Sequence, residues 1–136
     1  MKLTQYNDPI YGFITIPTPF IGKLINHPYL QRLRRIKQMG LSFLVFPSTE
    51  HTRFQHALGA MHLATKAVAS LRKQGVQINE SEAEALYAAL LLHDLGHGPF
   101  SHALEHALLP DTAHEKMSLA LMHDINREFG GKLDLT

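Results

Sequence analysis

The chain has no cysteine. That excludes a disulfide framework, a zinc–thiolate or iron–sulfur centre and a thiol nucleophile. No stretch approaches the roughly 20 apolar residues that cross a bilayer. The opening segment, MKLTQYNDP, lacks the apolar core of a secretion signal, so a cytoplasmic location is the expectation. Net charge is small as well. Thirteen basic and twelve acidic residues leave +1, and the total gives no argument for a nucleic-acid or membrane partner. There is no internal repeat and no low-complexity tract. What remains is a chain of 136 residues, 45% hydrophobic, enough for one buried core in one domain. One residue type is in excess: of ten histidines, six (His93, His97, His102, His106, His114, His123) fall between positions 93 and 123. Without thiols, imidazoles and carboxylates are the available metal ligands.

The pattern predicts a mostly α chain. Residues 1–16 read as a small β-hairpin, with Asn7-Asp8-Pro9 as its turn signal. From 17 onward the periodicity is helical. A first short helix ends at Asn26. A second begins at Pro28 with the stripe Leu30, Leu33 and Ile36, and breaks at Gly40. The apolar run Leu41 to Phe46 reads as a buried connection. A long helix is predicted from Arg53 to about Gln74, capped by Thr52 and stopped by Gly75. The next opens with Ser81 and Glu84 in capping-box spacing and runs to about Asp94. Its end is apolar all round, as in a fully buried helix. A Gly96-Gly98-Pro99 turn leads to a short helix from Ser101 to Leu108. A last helix, opened by Thr112 and Glu115, ends near Phe129 before Gly130 and Gly131.

Chemistry concentrates at His93-Asp94. A carboxylate and an imidazole side by side at the end of a buried helix are costly unless something pairs them. Taken alone the dipeptide reads as an ordinary hydrogen-bonded pair. A divalent cation would serve equally, and His56 on the long helix is the natural third ligand. Arg53 lies one turn before His56, so a guanidinium would project beside the ion, an arrangement suited to phosphate. Gly96, Gly98 and Pro99 allow a tight turn that lets His97, His102 and His114-Glu115 converge.

These segments, NDPIYGFITI, QRLRRIKQMG, TRFQHALG, HDLGHGPFSH and His114-Glu115, occur in an order and spacing that resemble the HD-domain deoxynucleoside triphosphate triphosphohydrolase family. The resemblance implies an HD-domain helical bundle with an N-terminal hairpin. It implies a divalent metal (Mn, Fe, Mg, Zn or Ni) on His56, His93 and Asp94. It further implies Arg53 on the triphosphate and Gln38 at the deoxyribose. His97, His102, His114 and Glu115 would line the catalytic pocket, with His102 protonating the departing 5′ oxygen. Glu105, three residues after His102, would orient it. The reaction so implied is water attack on the α-phosphorus of a dNTP, releasing a deoxynucleoside and triphosphate. Some relatives bind an activating nucleotide, which maps to Asn7, Gln31, Arg32 and Arg34, and a homo-oligomer, dimer or tetramer, is expected. The family's fourth ligand is a downstream Asp. Asp111, Asp124 and Asp134 lack its context, so 1–136 is expected to be the N-terminal portion of one HD domain. The alternatives are an HD phosphohydrolase for another phosphoester and a non-catalytic nucleotide-binding or oligomerisation module.

Overall fold

The structure, a computed structural model, describes residues 4–100 and 114–133. The predicted short helix from Ser101 to Leu108 and the Thr112 cap lie outside the described residues. Two strands form an antiparallel hairpin, β1 (Gln5–Asp8) and β2 (Gly12–Thr15), in the register Tyr6 opposite Ile14 and Asp8 opposite Gly12. Asp8 makes the turn. Its Oδ1 accepts from the amides of Ile10 and Tyr11 at 2.8 and 3.0 Å, and Gly12 follows at φ +71°. Ile14 points into the core while Phe13, its neighbour on the other face, is exposed.

Helix α1 (Pro19–Asn26) starts where the Thr18 hydroxyl accepts from the Ile21 amide, and it buries Ile21, Leu24 and Ile25. His27 joins it to α2 (Pro28–Arg32). Its Nδ1 accepts from the Tyr29 amide at 3.2 Å, which leaves Nε2 to donate to Glu128 at 3.0 Å. The second helix is shorter than its apolar stripe predicts. It tightens into a 3-10 turn over Leu33–Arg35, and Ile36 is already extended. The reason is competition for backbone partners. The Ile36 carbonyl accepts from the Arg53 amide at 2.9 Å, and Gln38 donates to the His51 carbonyl at 3.0 Å. These bonds tie the segment to the start of the long helix through a Lys37–Thr52 bridge.

The run that follows is not a buried connection. Leu41, Leu44, Val45 and Phe46 are 55 to 75% exposed, with a 3-10 turn at Ser42–Leu44. Phe43, in the same segment, is half-buried beneath the Lys37 ammonium, 3.8 Å from its ring centre.

Helix α3 (Arg53–Lys73) carries a full capping box between Thr52 and Gln55. It packs along α4 (Glu80–Leu92), and this pair forms the centre of the core, with Phe54, Ala57, Met61, Val68, Tyr87 and Leu91 buried. The fourth helix starts at Asn79, not Ser81. Asn79 accepts from the Glu82 amide and Glu82 caps back on the Asn79 amide. Both tetrads have cap spacing; Asn79 wins because Asn is as good a cap as Ser, and the Glu84 carboxylate is taken by the Thr18 hydroxyl. Nor is α4 buried on all sides: Leu86 is 41% exposed and Ala89 is also exposed. Helix α5 (His114–Glu128) closes the bundle with Ile125 and ends at Gly130 and Gly131, both at positive φ. Among the described residues, no helix is long and apolar enough to cross a membrane.

Candidate metal centre and active site

The first turn of α3 and the C-terminal end of α4 face each other, so Arg53 and His56 meet His93 and Asp94. The Nε2 atoms of His56 and His93 lie 3.3 Å apart. Asp94 completes the group, with Oδ1 3.4 Å from His93 Nε2 and Oδ2 3.8 Å from His56 Nε2. One ligand atom from each residue falls within 4.8 Å of the other two. An ion about 2.1 Å from each ligand holds neighbouring donors about 3 to 3.5 Å apart, so the spacing fits one shared cation.

Protonation also fits. The carbonyl of Leu90 lies 2.7 Å from His93 Nδ1, which puts the proton there and leaves the Nε2 lone pair aimed at the site. Burial pushes the His56 imidazole below its ordinary value. Asp94 opposes this, but His93, Arg53 and His51 reinforce it, which favours the neutral form that ligates metal. Both imidazoles remain about 40% exposed, so the site has an open side, as a catalytic centre needs and a closed structural site does not.

Asp94 is the hub. Arg53, itself 4% exposed, donates from Nη1 to Oδ2 at 2.7 Å. His97 Nε2 lies 3.4 Å from Oδ1. Burial raises the carboxyl's pKa, but the hydrogen bond from His97 and the charges of His93, Arg53 and His97 outweigh it. Asp94 is thereby held well below the usual carboxylate range and stays ionised. The buried His97 ring stacks on that of His114, centroids 4.0 Å apart, and Glu115 lies 3.4 Å from His114. The turn and the start of α5 therefore bring His97 and His114 to the same centre. Gly96 makes this possible. A Cβ there would lie 2.3 Å from the His114 carbonyl and 2.4 Å from the Ser118 amide.

His102 and Glu105 lie outside the described residues. Gln38 is half-buried, and its Oε1 is buried without a hydrogen-bond partner among the described residues. Its loop abuts the far end of the HD turn, since a Cβ on Gly40 would sit 3.8 Å from the Phe100 backbone. Asn7 and Arg34 line a cavity of about 290 Å³ with Asp8, Thr52, Phe54 and Gln55. Arg34 stacks on Phe54 at 3.9 Å and donates to Gln31 at 2.7 Å. Arg32 instead turns to the HD segment, where Nη2 donates to the carbonyls of Leu95 and His97. Ser118 was missed in sequence. It lies one turn after His114 on α5, and that spacing is the signal that could have found it.

An HD pair at a helix end, facing a histidine and an arginine one turn apart on a capped helix, defines a class. The HD domain model matches residues 53–130, and the chain belongs to that family. Among its relatives, the deoxynucleoside triphosphate triphosphohydrolase SAMHD1 of Homo sapiens is 43% identical over 106 residues, covering 76% of this chain and 17% of the relative. The uncharacterised protein YwfO of Bacillus subtilis is 43% identical over 100 residues, 74% of this chain and 23% of the relative. The crystal structure of a phosphohydrolase from Bacteroides thetaiotaomicron matches with a TM-score of 0.95 at 51% identity, over 98% of this chain and 33% of that one. This chain thus spans about a fifth of the length of the curated relatives it matches.

Proposed function

We propose that this chain forms part of a metal-dependent phosphohydrolase that cleaves dNTPs into a deoxynucleoside and triphosphate. The observation that carries the reading is the convergence of His56 Nε2, His93 Nε2 and the Asp94 carboxylate at single-ion spacing, with the His93 tautomer set by Leu90. A divalent ion held there supplies Lewis-acid polarisation of a phosphoryl oxygen. Arg53, beside the same carboxylate, directs its guanidinium to the triphosphate. Asp94 stays ionised and holds His97 toward the pocket, and the stacked His114 keeps that ring from turning. Water attacks the α-phosphorus, and the bond to the 5′ oxygen breaks as His102 gives that oxygen its proton. The Gln38 Oε1, buried without a partner among the described residues, is an acceptor suited to the sugar hydroxyl. Asn7 and Arg34, which line the 290 Å³ cavity, form the site of an activating nucleotide together with Gln31, which accepts from Arg34. Self-association belongs to the same reading, supported by the exposed apolar run from Leu41 to Phe46.

The test is product analysis after incubating the protein with dNTPs and Mn²⁺. Inorganic triphosphate supports the reading. Orthophosphate or pyrophosphate would instead indicate an HD phosphohydrolase for another phosphoester. Nucleotide binding without any product would leave a regulatory module.

A further inference from the structure

The segment from His93 to His97 carries three residues of the centre, yet it is an irregular turn. Within it, Leu95 donates to Leu92 and His97 to Asp94. Two side chains from distant elements take up four more of its backbone groups. Arg32, the last residue of α2, donates from Nη2 to the Leu95 carbonyl at 2.7 Å and to the His97 carbonyl at 3.0 Å. Ser118, on α5, accepts from the Gly96 amide at 2.8 Å and turns its hydroxyl toward the His93 carbonyl at 3.4 Å. The two sets alternate along the chain: carbonyls of 95 and 97 to Arg32, amide of 96 and carbonyl of 93 to Ser118.

We propose that Arg32 and Ser118 are positioning residues that clamp this turn and so set where Asp94 and His97 point. The proposal rests on the metal-centre reading above. Three observations support it. No carboxylate lies within ion-pair distance of Arg32 among the described residues, so its charge is directed to two carbonyls. The side chain as a whole is exposed, but its guanidinium lies against the HD turn, and this partial burial lowers its pKa. Gly96 lies between the two clamped carbonyls, pressed against the backbone of His114 and Ser118, and has no freedom left once both are held. Both bonds leave one nitrogen, Nη2, whose two N–H groups are fixed in the guanidinium plane; a lysine ammonium, on a shorter stem and free to rotate, does not hold them in that geometry.

The experiment compares Arg32→Lys and Ser118→Ala with the wild type and with Arg35→Ala, an exposed arginine of the neighbouring turn. Each is titrated with Co²⁺, read by visible absorption, alongside circular dichroism and thermal melting. The expected result is 10- to 100-fold weaker Co²⁺ binding in both clamp variants at near-native helicity, with Arg35→Ala unchanged. A merely structural role would lower the melting temperature and leave the affinity of the folded protein as it was. Clamp variants that fold and bind Co²⁺ like the wild type overturn the proposal. If Arg32→Lys fails to fold, Ser118→Ala decides. If the wild type itself takes no Co²⁺, the metal reading fails, and amide exchange at Gly96 then judges the clamp. Exchange at least 10-fold faster in Arg32→Lys upholds it; an unchanged rate overturns it.

Discussion

Asp94 gathers one guanidinium and three imidazoles around a single carboxylate, and its substitutions separate charge from fold. Asp94→Asn keeps the shape and a hydrogen-bond acceptor but loses the anion. Mn²⁺ binding, followed by calorimetry, should vanish while helical content stays near native. Arg53→Ala should cost about 3 kcal/mol in urea unfolding, because it removes one partner of a buried ion pair. Acid sensitivity follows from the same group. A carboxylate whose folded pKa is depressed stabilises the fold above its unfolded value near 4, and that contribution is lost as pH falls. Melting of the metal-free wild type should therefore drop more steeply below about pH 4 than that of Asp94→Asn. Individual placements of this kind were legible in sequence where neighbours on one helix announce them, as with Arg53 and His56. Ser118 and the turn-facing direction of Arg32 were not, because both serve backbone groups, and a sequence pattern does not mark which carbonyls lack partners.

At the scale of elements, helix starts and close approaches decide the architecture. Asn79→Ala should cost about 1 kcal/mol, and Ser81→Ala only a few tenths, in denaturant unfolding. The reverse order would restore the start that cap spacing alone suggested. Gly96→Ala forces a methyl against backbone atoms of α5, which no side-chain rotation can relieve. A loss of about 2 kcal/mol is expected, together with weakened contact between His97 and His114 visible in their ring proton shifts. Long amphipathic α3 and its Thr52 cap could be read directly from the 3.6-residue period. The end of α2 could not, because Ile36 gives up helical bonding for a partner seventeen residues on, the amide of Arg53.

Across the whole molecule, the class of fold and the grouping of His56, His93 and Asp94 were readable from motifs, whereas the fate of apolar surface was not. Leu41 to Phe46 has the composition of a core segment and lies outside; hydropathy reports what a side chain prefers, not whether a neighbour is within reach. On the self-association reading, Leu44→Ser should shift the protein toward monomer in light scattering. An unchanged mass would assign that segment elsewhere.

Asp94 lies forty-one residues after Arg53 and sixty-two after Arg32. Ser118 comes later still. During synthesis the N-terminal hairpin and α3 emerge well before the carboxylate that gives their histidine and arginine a purpose. A nascent chain that has not yet reached His93 lacks two of the three candidate donors, and on the metal reading loading waits until α4 has folded back.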